Sequence, residues 1–214
     1  MNTEQSVSSP APVKRTGLYS FARLLAAPLL TLLFPVRYHH VERLRDLQAP
    51  CIVMSNHKSL LDPFVLAWPC KKYEIHFLGK KEITKNRLLS FLVRKLHMIS
   101  VDRHHTDMQA MRTCARVLRD GQVLGIFPEG TRRLPDLMST VETGVAFLAL
   151  RSGAPLLPVY IDGKLRLFRR TDVYVGEPMD VSDLCAKGCD NDVVMELTAR
   201  IRDTFLAMRE ASRA

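Results

Sequence analysis

The sequence predicts one α/β domain, a mixed and mostly parallel sheet covered by helices, with an N-terminal apolar membrane-associating helical segment. Three observations predict it. Short apolar runs alternate with stretches of helical period, the mark of strands buried on both faces by helices. No internal repeat and no linker divides the 214 residues, a length that builds one core and an appendage. Charged and hydrogen-bonding residues follow directly after the apolar runs, where open α/β sheets carry their chemistry.

Residues 1–16 are polar and rich in Ser and Pro, and read as a flexible leader. Residues 17–36 form the apolar membrane-associating segment, and 37–214 the folded domain. The uncharged run from Leu24 to Val36 is thirteen residues long and is interrupted by Pro28 and Pro35. As a helix it rises about 20 Å, short of the roughly 30 Å hydrocarbon layer. No small-residue cleavage site follows it, which disfavours a signal peptide. An interfacial or re-entrant anchor, with Lys14, Arg15, Arg23 and Arg37 at headgroup level, is preferred over a single span. A helix packed on the core stays open.

Strands are expected at 51–55 (CIVMS), 74–79 (EIHFLG), 97–101 (HMISV), 122–127 (QVLGIF) and 155–161 (PLLPVYI). Two later strands, 165–168 (LRLF) and 172–176 (DVYVG), are expected to run antiparallel. Met108, Met111, Ala115 and Leu118 mark one helix. Val194, Leu197, Ile201, Phe205 and Met208 mark the last, capped by Asp190 or Asn191. Residues 85–96 mix leucines with Lys85, Arg87, Arg94 and Lys95, as an interfacial helix would.

Composition narrows the function classes. Apolar residues at 47% and charged residues at 25% exclude a disordered tail, a collagen and a coiled rod. The formal charge of +9 favours an anionic partner. Nucleic acid is disfavoured, because no nucleic-acid motif is present and aromatics, at 7%, offer no stacking platform. The five cysteines are scattered and fit buried thiols in a reducing compartment better than a metal site or disulfides. His97, His104, His105 and Asp107 match no standard zinc spacing, so no metal is expected.

The run Asn56-His57-Lys58-Ser59-Leu60-Leu61-Asp62-Pro63 leaves the first buried strand. On a continuous helix His57 and Asp62 would be about 140° apart and would not meet. Pro63 suits a first helical position, which makes Asp62 an N-cap and leaves residues 58–61 to turn back. The carboxylate can then fix the imidazole tautomer and leave the other ring nitrogen free to accept a proton. A bland reading, Asp62 as a cap only and His57 as a satisfied loop histidine, serves the spacing equally well. No Gly-x-Ser-x-Gly elbow supplies a resident nucleophile, so the proton would come from a substrate hydroxyl, in a transferase with a dyad. The second cluster, Gly125 to Arg133, places Pro128, Glu129, Gly130, Thr131, Arg132 and Arg133 after a strand. No Lys-Ser/Thr follows its glycines, which rules out a nucleotide P-loop, but its guanidiniums suit bidentate phosphate contact. Arg103, Lys80 and Lys81 follow the neighbouring strands as further cations, with solvated surface charge as the alternative.

Taken in order, Asn56-His57-x4-Asp62, Val-Asp-Arg103, Phe127-Pro-Glu-Gly-Thr-Arg132 and Pro155-Leu-Leu-Pro158-Val resemble the four motifs of the glycerolipid acyltransferases, and most of all those of bacterial 1-acyl-glycerol-3-phosphate acyltransferases. The similarity runs from about Val36 to Gly176. It implies an α/β enzyme at the cytoplasmic face of the cell membrane. That enzyme would move a fatty acyl group from an acyl-CoA or acyl-carrier-protein thioester to a lysophospholipid hydroxyl, without a metal or resident cofactor. Carried over, His57 is the general base and Asp62 its orienter. Glu129, Gly130, Thr131 and Arg132 form the acceptor site, Arg132 and Arg103 hold its phosphate, and Pro158 shapes the acyl-donor side. Asn56, Lys80 and Lys81 are further headgroup candidates. The stretch after the third motif departs from the family, with Glu142 where a base is usual, and this keeps other lysophospholipids and glycerol-3-phosphate open as acceptors. A non-enzymatic module for anionic lipid is the competing class.

Overall fold

A computed structural model describes residues 32–80, 98–101, 107–132 and 135–213. The leader, the apolar segment before Leu32 and the basic stretch 85–96 lie outside the described residues. Among the described residues seven strands form one sheet: β1 (Val36–His39), β2 (Cys51–Ser55), β3 (Ile75–Lys80), β4 (Ile99–Val101), β5 (Val123–Ile126), β6 (Leu156–Ile161) and β7 (Thr171–Val175). Their order is β1-β7-β6-β2-β5-β3-β4. The five strands from β6 to β4 are parallel to one another. β7 pairs antiparallel with β6, and β1 pairs parallel with β7, so these two run the opposite way.

β2 lies at the centre because it has no polar face to show to water: all five of its residues are buried. Alternation sends its side chains to two cores. Ile52 and Met54 join Leu124, Leu156 and Tyr160 beneath helices α3 (Met108–Arg119), α4 (Gly144–Ser152) and α6 (Asn191–Ala211). Cys51 and Val53 join Phe77, Val159 and Val173 beneath α1 (Glu42–Arg45) and α2 (Asp62–Ala67). A further short helix, α5 (Ser182–Cys185), leads into α6.

Local chemistry sets the helix ends. Asp107 caps α3 by accepting from the Ala110 N–H at 2.9 Å, and Asp190 caps α6 from the Val193 N–H at 2.9 Å. α4 stops at Gly153, whose φ of +66° lets the chain leave the helix left-handed. Along α6, Val194, Leu197, Ile201 and Phe205 are buried, as their spacing requires. Cys51, Cys70 and Cys114 are buried thiols outside any disulfide, and burial pushes the Cys51 and Cys114 thiols up to about 12.

The structure corrects two expectations. Residues 165–168 are not a strand: Arg166 and Arg169 bridge across a tight turn that has Leu167 and Phe168 at its tip. Asp62 is not an N-cap. It is the first residue of α2, Leu61 stands in the cap position, and Pro63 follows one step later. The helix can begin at Asp62 because its carboxylate bonds backwards to the preceding loop, as described next.

Candidate active site

The loop that leaves β2 curls around a single carboxylate oxygen. Asp62 Oδ2 accepts from His57 Nδ1 at 2.9 Å, from Lys58 N at 2.7 Å and from Ser59 N at 2.7 Å. Two backbone donors fix the carboxylate and the carboxylate fixes the ring, so Nδ1 carries the proton and Nε2 presents its lone pair. Asp62 is fully buried while the His57 side chain keeps 14% exposure, which leaves the ring reachable from outside. Nε2 has no hydrogen-bond partner among the described residues, and neither has Asp62 Oδ1.

A second motif locks this loop from below. Glu129, buried after β5, accepts the His57 backbone N–H through Oε2 at 2.8 Å and the Met138 N–H through Oε1 at 3.1 Å. The Glu142 N–H closes the same region on the Pro128 carbonyl at 2.8 Å. Glu129 therefore holds the backbone of the His57 loop rather than presenting a free carboxylate to solvent. Gly130 turns the chain with φ +63°, and a Cβ there would sit 3.1 Å from Glu142 Oε1, so the Glu142 side chain packs on the turn.

The imidazole is also stacked. Phe127 lies against it with centroids 4.0 Å apart and planes 20° apart, and Phe77 stacks behind Phe127 at 6.2 Å. Phe77 reaches that place because Gly125 has no side chain: a Cβ there would meet Phe77 Cε1 at 2.4 Å. The sequence reading did not single out Phe77 or the spacer role of Gly125. Their signal was available only as a glycine inside an apolar strand, two residues before the aromatic of the third motif.

The remaining candidates divide. The Asn56 carboxamide donates to the Ile161 carbonyl at 2.9 Å and accepts the Ile161 N–H at 2.8 Å, tying the end of β2 to the end of β6. That engagement is architectural. Pro158 is inside β6, where alternation places it with Leu156 and Tyr160 on the sheet face opposite Phe77 and Phe127. From the Leu156–Met179 bridge to the Val159–Val175 pair, β6 advances three residues and its partner four. This bulge spares Pro158 the N–H it lacks. Thr131 is half-buried beside the loop, and Arg132 is exposed, with no hydrogen bond or ion pair among the described residues. Arg103, Lys81 and the Lys80 side chain lie outside the described residues. Among the described residues no group of three metal-ligating side chains converges.

The profile of the Acyltransferase family matches residues 35–162, which hold the His57 loop, the Glu129 turn and strands β1 to β6. The chain belongs to the acyltransferase family. It resembles a Bacillus subtilis protein named 1-acyl-sn-glycerol-3-phosphate acyltransferase, with 27% identity over 171 residues, 78% of this chain and 84% of the relative. A Streptococcus pneumoniae protein of the same name is 25% identical over 202 residues, 91% of this chain and 74% of the relative. The crystal structure of the 1-acyl-sn-glycerophosphate acyltransferase PlsC from Thermotoga maritima superposes with a TM-score of 0.66, at 23% identity, covering 92% of this chain and 80% of that one. That likeness shows a shared fold. This acyltransferase carries its His57–Asp62 pair on the loop that leaves the carboxyl end of its central strand.

Proposed function

We propose that this acyltransferase moves a fatty acyl group from an acyl-CoA or acyl-carrier-protein thioester to the free hydroxyl of 1-acyl-glycerol-3-phosphate, giving phosphatidate. The observation that carries the reading is the contact of His57 Nδ1 with the buried Asp62, which leaves Nε2 as a base at the mouth of the loop. The names of the two bacterial relatives supply the acceptor.

In the proposed reaction, His57 Nε2 takes the proton of the acceptor hydroxyl as its oxygen attacks the thioester carbonyl. The C–S bond breaks, the acyl C–O bond forms, and the imidazolium returns its proton to the departing thiolate. Asp62 keeps the ring in one tautomer and stabilises the imidazolium in between. A thioester is already activated, so proximity and one base suffice without a covalent enzyme intermediate. Arg132, joined by Arg103, is assigned to the acceptor phosphate. Glu129 acts through the His57 backbone and is a positioning residue. The reaction is placed at the cytoplasmic face of the membrane, where acceptor and product reside. Among the described residues no helix is long and apolar enough to cross a membrane.

One observation favours a second acceptor class. The Glu142 carboxylate lies against the Gly130 turn, where it would oppose a dianionic phosphate and tolerate a headgroup that carries a cation. Free-thiol release from acyl-CoA, measured with lysophosphatidate, glycerol-3-phosphate and lysophosphatidylethanolamine, tests both. Release with lysophosphatidate above the others supports the first reading, and preference for the amine-bearing lipid supports the second. Salt-sensitive lipid binding with no thiol release from any acceptor would leave the binding-module reading.

A further inference from the structure

The edge of the sheet that carries His57 also carries exposed apolar side chains. β2 and β6 end there, at Ser55 and Ile161, whereas β1 and β7 run the opposite way and begin there, at Val36 and Thr171. Leu32 precedes β1, Leu60 follows β2, and Leu167 and Phe168 lie between β6 and β7, so all four sit beyond one edge. Their exposures are 72%, 50%, 53% and 67%.

The 162–170 loop is the most pronounced of these features. Its turn is closed by the Arg169 N–H on the Arg166 carbonyl, and Phe168 is held at φ +56°. That region is sterically costly for a bulky side chain and suits glycine at the third turn position. The chain keeps an aromatic there and leaves it in water, so the fold gains little from the ring. Lys164, Arg166, Arg169 and Arg170 surround the tip and are all exposed. Among the described residues only Arg170 has an acid near it, Asp172 at 3.9 Å, while Asp162 is the one acid within the loop. The Phe168 N–H donates to the Leu33 carbonyl at 2.7 Å, seating the tip against the end of the apolar N-terminal segment.

We propose that this loop is a docking tip for an anionic bilayer surface. Leu167 and Phe168 enter the acyl region, and Lys164, Arg166, Arg169 and Arg170 meet lipid phosphates. An apolar pair ringed by cations matches the layering of a leaflet, apolar below and anionic above. A single-stranded nucleic acid would instead need several stacking rings along a basic groove, and the tip has one. The Asn56–Ile161 hydrogen bonds join the base of the loop to the end of β2, so a seated tip keeps the His57 loop at the same edge of the sheet.

The test uses the full chain with Phe168→Trp in a Trp68→Phe background, which leaves one indole, at the tip. With vesicles of phosphatidylcholine plus phosphatidylglycerol, its emission should shift to the blue and be quenched by lipids brominated on their acyl chains. Pure phosphatidylcholine should give a weaker response. Adding Arg166→Gln and Arg169→Gln should lower partition to the anionic vesicles by about fivefold per arginine, the factor for about 1 kcal/mol each. The proposal is overturned if the protein sediments with these vesicles while the indole emission stays unchanged, or if an oligonucleotide shifts it as strongly. A second readout is the pair Leu167→Ser and Phe168→Ser, checked for an unchanged melting transition. It should slow acyl transfer to acceptor held in vesicles and spare transfer to a short-chain acceptor in solution; equal loss on both overturns the proposal. Absence of acyl transfer in the parent protein would instead refute the proposed function, and the fluorescence result would still decide the tip.

Discussion

At His57, the proposed base, one ring nitrogen is held by Asp62 and the other is left without a partner among the described residues. Asp62 offers one oxygen to three donors and leaves the other unpartnered among the described residues. Asp62→Asn can therefore keep all three hydrogen bonds through its amide oxygen while losing the charge that stabilises the imidazolium. The expected outcome is an intact fold by circular dichroism with kcat reduced about 10²- to 10⁴-fold and KM little changed. His57→Ala should lose at least as much and also remain folded, and full turnover in it would remove the base assignment. Glu129 gives the opposite pattern. Its carboxylate accepts from two backbone N–H groups, so Glu129→Gln must turn an NH2 toward one of them. Denaturant unfolding should show a loss of about 1–3 kcal/mol, and kcat should fall because the His57 backbone is released. The His-x4-Asp spacing was legible in the sequence, as was the need for a turn between them. The role of Glu129 was not: a carboxylate beside two arginines reads as part of a charged binding loop until its neighbours in space, 72 residues away in sequence, are known.

At the scale of elements, a column of rings runs from β3 to the active site, and a missing side chain on β5 makes room for it. Phe77 crosses Gly125 and stacks on Phe127, which stacks on His57. Gly125→Ala should push Phe77 aside, destabilise the domain by about 1–3 kcal/mol in a urea titration, and slow acyl transfer through a displaced imidazole. An unchanged melting point and rate would show that the column is incidental. The strands of this region were readable because each is a mainly apolar run bounded by polar residues, and CIVMS became β2 without change of limits. LRLF, an apolar run interrupted by Arg166, formed a turn. Four residues are too few for periodicity to tell a strand from a hairpin tip, and the Phe168 φ that decides the matter is invisible in composition.

Over the whole molecule, the antiparallel edge depends on one acid. Asp172 on β7 receives the His39 Nε2 contact at 2.8 Å and lies beside Arg37, both from β1. The His39 hydrogen bond, aided by Arg37 and opposed by partial burial, holds its carboxyl below the usual range. A depressed folded value gives stability that is complete above the ordinary carboxylate pKa, about 3.9, and is lost as pH falls through the lowered one. Acid unfolding followed by circular dichroism should therefore be less pH-dependent below about pH 4 in Asp172→Asn, which is also less stable at neutral pH. An identical acid limb in both proteins would remove this ion pair from the account.

The sequence by itself determined the α/β class, the succession of central strands, the cap on α6, and the family, because these rest on periodicity, on short-range capping and on motif spacing. The tertiary structure decided which polar side chains stay reachable from outside and which are committed to holding the chain. Asn56, Glu129 and Pro158 stand in the motifs beside His57 and Asp62, yet their partners are backbone groups or a bulged strand far along the chain. Such pairings are set by sheet order and strand direction, which bring Ile161 and Glu129 to the end of β2 although nothing in their local sequence says so.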